Sequence, residues 1–273
     1  MSYDQIKFGN KVYRTGNLLP PQKVRSFPRF PIPLKSQNEI REILNDKNRL
    51  ARREQFGREW IYDQGNIGSC NGCAAAKALE RARVLAGMPQ VILSGEFVYQ
   101  GINDGRDVGS MLDDGMKYLM ENGAAPWKAY HQQKYRESDF RAEDFRDAER
   151  YKALECYGVD TEDELATALA LGFIAVIAVH ANNDFMRIDG NGIAGGINGV
   201  GNHAVGVDDA KVVNGQILFD MFNSWGTQYG DNGRAYLTWE RHLKQTSKNH
   251  YFYVIRATTS DTQDDIPEIQ KSE

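Results

Sequence analysis

Three residues have the types and surroundings for nucleophilic acyl chemistry. Cys70 closes the segment Gln64-Gly65-Asn66-Ile67-Gly68-Ser69 and opens the run NGCAAAKALERARVLA, whose alanines and leucines have high helix propensity. Its sulfur is therefore expected at a helix N-terminus, where free amides and the helix dipole favour an anion. Beside a histidine, a thiolate so placed can have its pKa lowered to about 3.5 to 7.5, from a reference near 8.5. The same amides can receive a developing oxyanion. Taken alone, a cysteine at such a position is more often a small buried residue. His203 lies in Gly201-Asn202-His203-Ala204-Val205-Gly206-Val207, where small and apolar neighbours imply a strand that would hold the imidazole rigidly, though a lone histidine there is usually structural. Asn223, in Met221-Phe222-Asn223-Ser224-Trp225-Gly226, can bond one ring nitrogen and leave the other to face sulfur. An isolated asparagine before a turn is ordinarily only a turn residue.

The elements that must position these groups follow from the pattern around them. Ala75, Leu79, Ala82 and Leu85 recur at three- and four-residue spacing, a stripe of small residues that predicts a central helix from Cys70 to Ala86, stopped by Gly87. A second helix is predicted from Ser110 to Glu121, ended by Gly123, with Met111, Met116 and Met120 as core filling. Thr161 and Glu164 fit a capping box that opens a helix to Leu171, and Phe173 to Val179 reads as a buried strand. Asn214-Gly215, between Val212-Val213 and Gln216 to Phe219, is a strong hairpin signal. A last strand is expected at Ala235 to Trp239. Ahead of all this, Pro20, Pro21, Pro28, Pro31 and Pro33 predict an extended arm, and Ile40, Ile43, Leu44 and Leu50 a short amphipathic helix within Gln37 to Glu59. A helical half followed by a sheet-rich half is an α+β arrangement.

The chain has 273 residues, enough for one large domain or two small ones. Its 33 Lys and Arg against 37 Asp and Glu leave a formal charge of -4, which argues against binding nucleic acid or an anionic membrane through bulk charge. Five acids and one base fall in Thr258 to Glu273, so the acidity belongs to a tail. Cysteines 70, 73 and 156 are too few for a disulfide framework and odd in number, which points to a reducing compartment or a reactive thiol. The N-terminus MSYDQIKFGNKVYR lacks the apolar stretch of a secretion signal, and Leu169 to Val179 is too short for a membrane span. A cytoplasmic setting is the expectation.

Asp63-Gln64-Gly65-Asn66-Ile67-Gly68-Ser69-Cys70, then Asn202-His203-Ala204-Val205, then Asn223-Ser224-Trp225-Gly226-Thr227 resemble, in that order, the papain-like cysteine peptidases. The family's local cysteine signature carries its His and Asn some 130 to 150 residues downstream, close to the intervals here. The likeness spans Trp60 to Val254, and Asn-Ser-Trp-Gly followed by Tyr229-Gly230-Asp231-Asn232-Gly233 is its most specific part. It is closer to disulfide-poor microbial or viral members than to secreted ones, because Ile67 stands where many members carry a second cysteine.

The resemblance implies a two-lobed α+β fold, a helical lobe and an antiparallel, barrel-like β lobe with the active site in the cleft between them. Residues 1–55 would be an N-terminal arm, 56–150 the helical lobe, 151–257 the β lobe and 258–273 a disordered acidic tail. It implies a cysteine-type endopeptidase acting through an acyl-enzyme on a peptide or protein substrate, without metal or cofactor. Cys70 would be the nucleophile, His203 its general base and acid, Asn223 the residue orienting the histidine, and Gln64 an oxyanion donor beside the Cys70 amide. Trp225 would shield the His203–Asn223 bond, and Gly109, Ser110, Trp225 and Asn202 would line the substrate cleft. Asn71 stands where an aromatic residue commonly follows the nucleophile.

Other readings share parts of this pattern. Acyl transfer and isopeptide cleavage use the same thioester chemistry. Cys70-Asn71-Gly72-Cys73 is also a C-x-x-C, as in thiol-disulfide oxidoreductases, though no βαβ pattern surrounds it. A non-catalytic binding module would typically have lost the cysteine or histidine. A zinc site lacks ligands, since His131, His180, His242 and His250 stand at no ligand spacing. The arm lacks the inhibitory prosegment pattern of secreted relatives, yet its composition suits a chain lying along or flanking the cleft and restraining access to it.

Overall fold

The computed structural model describes residues 5–256 apart from 47, 48, 50, 57–59 and 197. The tail expectation for 258–273 falls outside the described residues.

The central helix forms where the small-residue stripe predicts it, at α3 (Cys70–Leu85). Its alanines leave so little bulk that the helix is buried almost all round, and Gly87 takes the left-handed turn that ends it, at φ 81°. Gly72 lets α4 (Gly95–Gln100) approach closely, since a Cβ there would lie 2.3 Å from the Gly95 carbonyl oxygen. α5 (Leu112–Glu121) follows the methionine pattern, beginning two residues later than expected. A further short helix, α6 (Ala142–Ala148), completes this half.

The second half is an antiparallel sheet of six strands in the order β3-β8-β4-β5-β6-β7: β3 (Cys156–Val159), β4 (Ile174–Val179), β5 (His203–Val213), β6 (Gln216–Phe222), β7 (Arg234–Leu237) and β8 (Phe252–Ile255). β4 is buried at every residue, as its unbroken apolar run implies. Asn214 and Gly215 make the β5–β6 turn with φ of 50° and 79°, the positive angles that Asn-Gly tolerates, and Val213 faces Gln216 across it. α7 (Glu162–Ala170) begins at Thr161, whose hydroxyl accepts the Glu164 N–H at 3.2 Å, while the Glu164 carboxylate reaches one residue further back to the Asp160 N–H at 2.9 Å. The last strand differs from expectation: β7 ends at Leu237, and Trp239 opens a wide helical turn to Leu243. α8 (Thr246–Asn249) then leads into β8, and α3 packs across β5, β4 and β8, joining the two halves.

The arm departs from the extended reading. Residues 5–14 form a hairpin, β1 (Gln5–Phe8) and β2 (Lys11–Arg14), turned at Gly9-Asn10 with Gly9 at φ 57°. The prolines begin only at residue 20, so nothing in 5–14 opposes a ladder. Beyond it the chain is extended, held to the β half by Lys23–Asp160 (2.6 Å) and Arg29–Glu164 (2.7 Å). The amphipathic helix is shorter than its pattern, α1 (Gln37–Leu44), with Ser36 and Glu39 forming a capping box; Ile40 and Leu44 are its buried residues. α2 (Arg52–Gln55) is a single turn, clamped where Arg53 meets Asp220 at 2.7 Å.

Candidate active site

Cys70 is the first residue of α3 and is fully buried. His203 is the first residue of β5, and the N–H of the next residue, Ala204, donates to Cys70 Sγ at 3.5 Å, so helix and strand bring the two halves of the sequence together at the sulfur. His203 Nε2 lies 2.8 Å from Asn223 Oδ1, which also accepts the Ser224 N–H at 2.8 Å. An amide oxygen only accepts, so Nε2 carries the proton of the neutral ring and Nδ1 presents its lone pair. That Nδ1 is buried without a hydrogen-bond partner. Trp225 lies flat against the imidazole, centroids 4.4 Å apart at 24°, and is itself fully buried.

Gln64 is tied to the same strand end: its N–H donates to the Ser224 carbonyl at 2.9 Å and its Oε1 accepts the Ser224 hydroxyl at 2.5 Å. This leaves Nε2 as donor, to the Ile67 carbonyl at 2.8 Å and to the Arg14 carbonyl of the arm at 2.9 Å. Gly109 and Ser110 face the arm. Ser110 donates its N–H to the Gly16 carbonyl and accepts the Leu18 N–H, both at 2.9 Å. Asn202 meets the arm through its backbone carbonyl, which takes the Asn17 N–H at 3.0 Å, while its side chain bonds both backbone groups of Ala181. All eight residues singled out from the sequence thus border one stretch of the arm or one another.

The arm passes through the site. Tyr13 stacks on Trp225 (5.5 Å, 27°) and donates its hydroxyl proton to the Trp225 carbonyl at 2.7 Å. Gly16 follows two residues after Arg14, and its N–H lies near enough to Cys70 to offset part of the rise in the thiol pKa. It fits because three glycines interlock: a Cβ at Gly16 would fall 2.0 Å from the Gly68 carbonyl oxygen, and one at Gly109 2.2 Å from the Gly16 carbonyl oxygen.

This cover sets the electrostatics. Burial pushes the Cys70 thiol up to about 11, against the partial help of N–H donors from Ala204, Gly16 and its own helix end. Burial also pulls His203 down to about 4, against the Asn223 hydrogen bond. The depressed thiol pKa expected from the helix N-terminus is therefore not found with the arm in place: desolvation outweighs the dipole, and the pair is neutral.

Several neighbours were not legible in the sequence. Asn71 is buried and its Nδ2 donates to Ser110 Oγ at 3.1 Å and to the Met111 carbonyl, so the residue that replaces an aromatic ties the cleft-facing segment to α3. Asp107 accepts the Gly68 N–H and the Tyr99 hydroxyl through Oδ1, each at 2.8 Å. No spacing rule marks either, because both act across loops. Cys73 lies one helical turn past Cys70, its sulfur against Gly95, and burial raises its pKa well above the ordinary thiol value. Among the described residues no group of three or more His, Cys, Asp or Glu is placed to hold a metal ion.

A cysteine at a helix start, a histidine on the facing strand and an asparagine behind it define a thiol hydrolase site, and the comparisons give its family. The family model for the papain family cysteine proteases matches residues 49–255, so the chain belongs to that family and is a cysteine peptidase. Solved structures share the fold. Xylellain, a cysteine protease from Xylella fastidiosa, is 22% identical with a TM-score of 0.56, over 88% of this chain and 99% of that one. Procathepsin B S9 from Trypanosoma congolense is 18% identical with a TM-score of 0.63, over 91% and 87%. Bromelain from Ananas comosus, solved with the E64 inhibitor, is 18% identical with a TM-score of 0.56, over 76% and 97%. No curated protein matches the chain in sequence.

Proposed function

We propose that the chain is a cysteine endopeptidase held shut by its own N-terminal arm. The observation that carries this is that the Ala204 N–H, next to His203, donates to Cys70 Sγ while His203 Nδ1 is buried with no other hydrogen-bond partner, under a strand that occupies the Gln64 donor. With the arm withdrawn, the Cys70 proton passes to His203 Nδ1 and the thiolate attacks a peptide carbonyl. The oxyanion takes hydrogen bonds from Gln64 Nε2 and the Cys70 N–H. The imidazolium then protonates the departing amine, and water, deprotonated by the same nitrogen, releases the acid and restores the thiol. Asn223 keeps the ring in the tautomer this requires.

The arm is held over the site by backbone hydrogen bonds to Ser110 and to the Asn202 carbonyl and by the stacking of Tyr13 on Trp225, which suits a restraint. Proforms are among the solved structures that share the fold. The oxidoreductase reading is disfavoured because exchange needs an accessible second thiol, whereas Cys73 is buried and its thiolate strongly disfavoured.

The test is covalent labelling with E64 or iodoacetamide at neutral pH followed by peptide mapping. Cys70 is expected to label ahead of Cys73 and Cys156, with Cys70→Ser and His203→Ala folded but without peptide turnover. Turnover that survives either substitution would refute the mechanism, and preferential labelling of Cys73 would favour the redox reading.

A further inference from the structure

We propose that Asp107 selects a cationic residue, arginine above all, at the position whose carbonyl Cys70 attacks; this rests on the peptidase reading above. Arg14 of the arm does two things at once. Its carbonyl oxygen accepts from Gln64 Nε2 at 2.9 Å, and its guanidinium reaches Asp107, with Nη1 to Oδ2 at 2.6 Å. A substrate residue under attack must bring its own carbonyl oxygen to that same donor. Its side chain then starts where that of Arg14 starts, and an arginine there can span the same distance to the same carboxylate.

Asp107 is built for this rather than left on a surface. Its side chain is 14% exposed. Oδ1 is fixed by the Gly68 N–H, two residues before the nucleophile, and by the Tyr99 hydroxyl, which in turn accepts the Gly109 N–H at 2.9 Å. The carboxylate is thus bolted to both the loop carrying Cys70 and the segment that pairs with a chain in the cleft, and Oδ2 is the oxygen turned toward the occupant. When the arm leaves, this largely buried carboxylate loses Arg14. A cation on the incoming chain restores the pair, and a neutral side chain leaves the charge uncompensated. Guanidinium suits the site better than ammonium, because its fork of donors is rigid and longer in reach.

The experiment compares two peptidyl acyloxymethyl ketones on the full chain, identical except that one ends in arginine and the other in citrulline, its neutral near-isostere. The rate at which each labels Cys70 is read by mass spectrometry. Both probes meet the same fraction of open cleft, so their ratio does not depend on how tightly the arm closes. The arginine probe is expected to react about ten- to a hundredfold faster, the factor carried by one hydrogen bond to a charged group. Asp107→Asn keeps an oxygen for Gly68 and Tyr99 and is expected to bring the ratio close to one. Arg14→Gln is expected to speed both probes and preserve the ratio. A wild-type ratio near one, or an arginine preference that persists in Asp107→Asn, would overturn the assignment. Failure of both probes to label Cys70, in Arg14→Gln as well as in the wild type, would overturn the peptidase reading, and the assignment with it.

Discussion

Gly16→Ala tests whether the arm is a restraint. The backbone at Gly16 does not take a left-handed angle, so alanine is conformationally acceptable there and the cost is steric. The new Cβ would lie 2.0 Å from the Gly68 oxygen and 2.5 Å from its carbonyl carbon, about 1 Å inside the closest approach of 3.0 Å that real Cβ atoms show. Both obstacles are backbone in the loop before the nucleophile, so no rotamer change relieves the clash. Overpacking of this kind costs about 1–3 kcal/mol, and the closed form alone bears it. The open population should therefore rise about 5- to 150-fold. Against it stand the bonds of Gly16 and Leu18 to Ser110 and of Asn17 to the Asn202 carbonyl, each with a net worth of about 0.5–1.5 kcal/mol. The assay is the initial rate of Cys70 alkylation by iodoacetamide, with peptide hydrolysis in parallel. Gly190→Ala is the control, since a Cβ there meets nothing within 4 Å. A folded Gly16→Ala protein no faster than wild type in both assays would show that the segment does not gate the cleft.

Two further outcomes follow from buried titrating groups. With the arm seated, the Cys70 thiol is raised to about 11 by burial and His203 lowered to about 4, so alkylation of the wild type should keep rising with pH far into the alkaline range, because only the thiolate reacts. In Gly16→Ala the inflection should move to lower pH, and coincident profiles would contradict the burial argument. Elsewhere, burial of Glu96 raises its carboxyl from 4.5 to about 7, and Oε2 has no hydrogen-bond partner. The folded form then holds a proton that the unfolded chain releases, so stability is full below about pH 4.5 and falls as pH rises to about 7. Glu96→Gln should therefore stabilise the protein more at pH 8 than at pH 5, by up to about 3 kcal/mol in urea denaturation. An equal change at both values would remove the carboxylate from the account.

What could be read in advance was carried by local pattern. The stripe of small residues from Ala75 to Leu85 dictated α3, and with it the placement of Cys70 at a helix start, because propensity and periodicity act within a few turns. The same holds for β4, for the Asn214-Gly215 turn and for the Thr161 cap, each a property of fewer than ten consecutive residues. The hairpin at 5–14 has its turn at Gly9-Asn10, and the prolines, which begin at residue 20, leave its ladder untouched. The grouping of Cys70, His203, Asn223 and Gln64 was legible through family resemblance.

Tertiary structure decided everything that depends on one loop meeting another. Burial in the packed chain raises the Cys70 thiol, against the lowering that the helix end alone would give, since desolvation is a property of what surrounds a group. The positions of Arg14, Gly16, Asp107 and Asn71 have no sequence signature: each matters through an atom 39 or more residues away along the chain. A sequence determines which side chains are available and which local shapes they favour; which oxygen faces which nitrogen across a cleft is fixed only when the whole chain has packed, because those contacts are short in space and long in sequence.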